Sequence, residues 1–135
     1  MGYHSFDVQT TIFNTLSGDS TLDGLVGNNR IYDNVPQDSP YPYVVIGNEN
    51  ALNVGTKSVD ANDYSIDIEV WSQYRGKKEI KNIMERIYNL LHNASLSVSG
   101  ADFVRSQVRT VITLVEADAI TRHGVISLDI LVFDN

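Results

Sequence analysis

The spacing of apolar positions changes period along the chain, most clearly between residues 63 and 92. Tyr64, Ile66, Ile68 and Val70 alternate with Ser65, Asp67, Glu69 and Trp71, the period of two expected of a half-buried strand. After Gly76 the period becomes helical. Ile80, Ile83, Met84, Ile87, Tyr88 and Leu91 form one stripe, and Lys78, Lys81, Asn82, Glu85, Asn89 and His92 lie opposite. Gly76 suits the N-cap, and Asn93 suits a left-handed closing residue. Lys77 and Lys78 oppose the positive end of the helix dipole, a mismatch that costs roughly a few tenths of a kcal/mol. The stripe has to lie on the apolar face of a sheet.

The rest of the chain supplies that sheet. Residues 5–16 read as a helix capped by Ser5, with Val8, Ile12, Phe13 and Leu16 as its stripe and Gly18 as its end. A brief second turn of helix is expected from Ser20 or Thr21 to Val26, with Gly27 as its stop. Residues 30–32 form a short strand. All three prolines fall within residues 36–42, which makes that stretch extended and irregular. A strand starts at Tyr43 and continues to about Leu52; the polar stretch 53–62 reads as a mobile loop. Leu96, Ser97 and Val98 suggest another short strand. Residues 103–115 form a long one, with Val104, Val108, Ile112 and Leu114 on one face and Arg105, Gln107 and Arg109 on the other. A turn at 116–123 leads into a last strand, 124–133, with Ile126, Leu128, Ile130 and Val132 inward and Ser127 and Asp129 outward. The expected fold is α+β: a mostly antiparallel sheet, two helices packed on one face and a long C-terminal β-hairpin, in a single domain over residues 1–135. The 103–115 strand exceeds the usual length of about five or six residues. Either a bulge interrupts it, or the hairpin projects from the body and leaves an edge that needs covering.

Composition narrows the function. The 135 residues suffice to bury a core without staples. The chain has no cysteine, which removes disulfides, thiolate metal sites and cysteine nucleophiles and fits a reducing compartment. No apolar run is long enough for a membrane-spanning helix, and residues 1–7 lack a signal pattern. The net charge is −7, with Lys and Arg scattered, which argues against docking on phosphates or anionic lipid.

Candidate chemistry is sparse. His4, His92 and His123 lie far apart, without metal-ligand spacing, and read as three exposed histidines. Asp67 and Glu69 point to one side of a strand; this is either an acid pair or metal clamp, or a solvated sheet face. Gly27, Asn28 and Asn29 lack the lysine of a phosphate loop, so anion binding there has little support. Tyr41, Tyr43, Trp71 and Tyr74 form either a binding patch or sheet packing. No serine sits in a nucleophile elbow. The residues by themselves thus describe an acidic α+β domain with no catalytic, cofactor or metal residues.

A larger pattern spans nearly the whole chain. It combines Leu25-Val26-Gly27, the run from Arg30 through Asp33, Pro36, Pro40 and Pro42 to Gly47, the strand end Val70-Trp71-Ser72 before a charged helix, and Leu114 onward into Thr121-Arg122-His123-Gly124-Val125. Together these resemble the tail-completion, or tail-terminator, family of long-tailed bacteriophages and gene-transfer particles. The resemblance implies a structural, non-enzymatic virion protein assembled in the host cytoplasm. It implies a homo-oligomeric ring, hexameric, that caps the head-proximal end of the tail tube, ends polymerisation and joins the tail to a head-completion protein. DNA would pass through the lumen without specific binding, an arrangement that an acidic chain suits. Alternatives are another head–tail connector or tail-tube component, or a small enzyme using Asp67 and Glu69. The partner contacts are expected in the loop containing Val54, Gly55, Thr56, Lys57 and Ser58, and around Glu116, Asp118, Thr121, Arg122 and His123. Thr121 to Gly124 is equally a plain turn whose glycine permits a positive φ.

Overall fold

The computed structural model describes residues 3–27 and 30–134; Asn28 and Asn29 of the 27–29 loop lie outside them. Eight elements follow in order: α1 (Ser5–Ser17), α2 (Ser20–Val26), β1 (Ile31–Tyr32), β2 (Tyr43–Asn53), β3 (Ala61–Ser72), α3 (Lys78–Leu91), β4 (Ala101–Val115) and β5 (Arg122–Asp134). The strands form one mixed sheet in the order β1-β2-β3-β5-β4. β1 is parallel to β2, and every other pairing is antiparallel. The architecture is α+β with the C-terminal hairpin expected from the sequence, and α2 adds a third helix.

The core follows from the two periods. Val44 and Ile46 of β2, Tyr64, Ile66, Ile68 and Val70 of β3, and Ile126, Leu128, Ile130 and Val132 of β5 face the helices. Val8, Ile12 and Leu16 of α1, Leu22 and Val26 of α2, and Ile80, Ile83, Met84, Ile87 and Leu91 of α3 close over them. Phe13 and Tyr88 fall at the margins of their stripes and stay substantially exposed, at 39% and 37%.

Helix ends differ from expectation in detail. The N-cap of α1 is His4, and Ser5 is the first helical residue, with its hydroxyl turned to Glu49. Lys77 rather than Gly76 is the N-cap of α3, and Gly76 takes φ 90° in the preceding turn. Asn93 does adopt φ 54° just past the end of α3. Its N–H donates to the Ser106 carbonyl at 2.8 Å. Residues 96–98 form no strand; Val98 is instead an irregular residue buried against the core.

The largest departure lies in β4. Register shifts fall between Phe103 and Arg105 and between Val108 and Thr110. Each bulge inserts a residue and resets which face the next side chains occupy. Phe103, Ser106 and Val108 pair with the inward residues Val132, Ile130 and Leu128, but Ile112 and Leu114 pair with Val125 and His123 on the open face. The expected stripe of Val104, Val108, Ile112 and Leu114 is therefore broken: Val108 is buried, and the other three are about half exposed.

Candidate interaction surfaces

The two segments expected to make contacts lie at opposite ends of the sheet. Ala61 begins β3 beside the 54–60 loop, and Ser72 ends it opposite Arg122. Twelve strand residues at about 3.3 Å each separate the two ends by ~35–40 Å.

The 54–60 loop closes the β2–β3 hairpin. Val54 N donates to the Ala61 carbonyl at 2.9 Å, and Thr56 N to the Val59 carbonyl at 2.8 Å. Gly55 N donates to Asn53 Oδ1 at 2.9 Å. The Thr56 hydroxyl accepts from Ser58 N at 3.3 Å and Val59 N at 3.2 Å. A Cβ on Gly55 would stand 2.3 Å from the Val59 carbonyl oxygen, so only glycine fits. Val54 and Thr56 to Asp60 stay exposed.

The 116–121 turn at the far end is held by Asp118. Its carboxylate accepts from Ile120 N at 2.9 Å, Thr121 N at 2.8 Å and the Thr121 hydroxyl at 2.7 Å. Those bonds hold the Asp118 carboxyl below its usual pKa, the Thr121 hydroxyl contributing most. Thr121 is buried, and its hydroxyl also accepts from Gln73 Nε2 at 3.1 Å. Arg122 donates to the Ile120 carbonyl, and its Nε is buried without a partner. His123 stacks on Trp71 with ring centroids 3.7 Å apart and planes within 10°. Its Nε2 lies 2.7 Å from Glu69 Oε1, and its Nδ1 lies 3.8 Å from Glu116 Oε1. Asp118, Thr121, Arg122 and His123 thus build this corner, whatever else they contact.

The histidines depart from expectation. His4 is buried, its Nε2 3.0 Å from Asp134 Oδ1 and its backbone N–H bonded to the Tyr64 hydroxyl at 2.7 Å. That contact holds the Asp134 carboxyl below its ordinary pKa. His92 Nδ1 accepts from Val108 N at 3.1 Å, and its ring stacks on Tyr88. With His123 half-buried as well, the expectation of three exposed histidines fails. Each fills space at an element end where a polar tip finds a partner, a position that sequence spacing does not reveal.

Asp67 and Glu69 share the open face but are engaged separately. Asp67 accepts from the Ser127 hydroxyl at 3.2 Å, and Glu69 meets His123. Among the described residues no group of three or more His, Asp or Glu is placed to hold a metal. Tyr43 and Trp71 are register partners on the same face. Tyr43 packs against Tyr41 at 5.2 Å and Tyr32 at 6.1 Å, and burial pushes its pKa up to about 12. Tyr41 and Tyr74 line one cleft, so the four aromatics do gather at one end of the sheet.

Sequence reasoning missed the apolar strip at the distal end of β4. Val111, Ile112, Leu114 and Val115 are 46–48% exposed along the outer edge of the sheet. The available signal was an apolar run too long for one strand to bury.

Comparison with known proteins agrees with this architecture. The sequence profile of the family described as Tail completion protein gp17 matches residues 10–132. The protein of that name from Bacillus phage SPP1 is 28% identical over 107 residues, 79% of each chain. A structure of bacteriophage SPP1 gp17 superposes with a TM-score of 0.66 at 25% identity, covering 96% of this chain and 95% of that one. A chain in the virion of a native gene transfer agent particle superposes with a TM-score of 0.90 at 21% identity over 98% and 99% of the two chains, a likeness of fold. The chain belongs to the tail completion protein gp17 family.

Proposed function

We propose that this chain caps the head-proximal end of a phage tail tube as a hexameric ring, ends tube polymerisation and joins the tail to a head-completion protein. The observation that carries the reading is a pair of open edges on opposite sides of one sheet. β4 is an outer strand of 15 residues with an apolar distal half. At the other side β1 pairs with Val44 and Val45, and among the described residues the remainder of β2 has no strand partner on that edge. Unpaired edges of this length are a liability unless another chain covers them. Two different edges meeting head to tail make a heterologous contact, and such contacts form a ring where the rotation between subunits closes. The ~35–40 Å between the 54–60 loop and the 116–121 turn gives each subunit two separate ends, one for the tube and one for the head side. The net charge of −7 suits a lumen that DNA traverses without adhering. The names carried by the relatives, a tail completion protein and a virion particle, support the same assignment.

The test removes this chain from cells producing the particle and images the products by electron microscopy. Expected are unjoined heads and tails, with tubes of uncontrolled length. Normal tails still joined to heads would overturn the proposal. A purified chain that polymerised alone into long tubes would mark it as a tube subunit instead.

A further inference from the structure

The cations of this acidic chain are less scattered than they look in linear order. Four of its ten, Arg75, Lys77, Lys78 and Lys81, fall within seven residues where β3 leads into α3. All four are exposed, and none is in an ion pair among the described residues. Helix stability does not explain them, because Lys77 and Lys78 sit at the positive end of the α3 dipole.

A built concavity adjoins the cluster. One cleft of about 480 Å³ lies between Pro40, Tyr41, Pro42 and Tyr74, and a second of about 250 Å³ continues from Tyr74 to Leu25 and Lys78. Tyr74 is 52% exposed, and its backbone is held in place. The buried Ser72 hydroxyl accepts from Tyr74 N at 3.1 Å and donates to Glu79 Oε1 at 2.7 Å. Aromatic walls beside unpaired cations match a ligand that carries an apolar side chain flanked by carboxylates.

We propose that this tyrosine-lined cleft docks an acidic segment of a partner protein, with an apolar or aromatic side chain between Tyr41 and Tyr74 and carboxylates reaching Lys78 at the cleft wall and its chain neighbour Lys77. Nucleic acid fits less well: four clustered cations meet only a few phosphates, and the rest of a −7 chain repels the remainder of a long polyanion. A second copy fits less well too, because it would bring another net charge of −7 against the first chain. The inference adds a partner chemistry to the assembly reading and stands apart from it, since its test involves no particle.

The test pans a random twelve-residue peptide library on the immobilised full chain and measures the enriched peptides by fluorescence anisotropy. Expected are sequences with net negative charge around an aromatic or leucine residue. Their affinity should fall about tenfold or more in Lys77→Glu/Lys78→Glu, and again in Tyr74→Ala. The double variant places favourable charges on the helix dipole, so lost binding would not reflect lost folding. Enriched peptides that are not acidic, or that bind the double variant as well as the parent, would overturn the proposal. So would a twenty-base-pair DNA duplex binding the same patch as tightly, or low-salt self-association that the double variant abolishes.

Discussion

Replacing both Ile112 and Leu114 with glutamate should separate assembly from folding. The two side chains point from the open face of β4 and are 48% and 46% exposed. Complete burial of such a side chain is worth about 1.5–3 kcal/mol, so covering the exposed half of each contributes about 0.7–1.5 kcal/mol. The pair supplies about 1.5–3 kcal/mol per subunit contact, roughly a tenfold to hundredfold change in association. Glutamates add the cost of desolvating a carboxylate against an apolar neighbour. In the free chain the same positions are half in water, so the thermal midpoint should shift by no more than about 5 °C. The assay has two parts: a circular-dichroism melt of the purified variant, and a count of joined particles when it complements a strain lacking the chain. Expected are a near-parental melt and a drop of about tenfold or more in joined particles, with Ile112→Val/Leu114→Val close to normal. A folded double-glutamate variant that gives parental counts would refute the edge as a contact surface.

Two further outcomes concern the fold itself. The buried Ser106 hydroxyl donates to the Leu91 carbonyl at 2.7 Å, tying the end of α3 to β4. Ser106→Ala leaves that carbonyl short of a partner and should cost about 1–2 kcal/mol, a midpoint drop of roughly 4–8 °C by calorimetry; an unchanged midpoint would show that the tie contributes nothing. Burial, with Asp129 adding to it, raises the Asp63 carboxyl above its ordinary 3.8, and its Oδ1 is buried without a partner. Protonation relieves this strain, so the penalty is absent below 3.8 and appears as pH rises through the raised folded value. Asp63→Asn should therefore raise the melting midpoint by a few degrees at pH 7, on the order of 1 kcal/mol, and lose that advantage near pH 3; an equal effect at both pH values would exclude the ionisation argument.

The amino-acid order determined by itself whatever depends on local period. Alternation from Tyr64 to Trp71 and the stripe from Ile80 to Leu91 specify a strand and a helix, because each residue's face follows from its neighbours a few positions away. The left-handed Asn93, the proline-rich stretch before β2 and the hairpin of β4 with β5 were legible for the same reason, and the order of short motifs was enough for the family resemblance. The tertiary structure alone decided what depends on distant partners. The bulge between Val108 and Thr110 turned Ile112 and Leu114 to the open face, away from the side that Val108 occupies, because one inserted residue reverses every later side chain and leaves no mark in the composition. The three histidines became partnered rather than exposed, because Asp134, Val108 and Glu69 reach them from other elements. The sheet order placed the 54–60 loop and the 116–121 turn at opposite ends, and brought Tyr41 and Tyr74 together, with Lys78 in the adjoining cleft. Strand pairing sets such distances, and pairing is a choice among many that each strand, read alone, would permit.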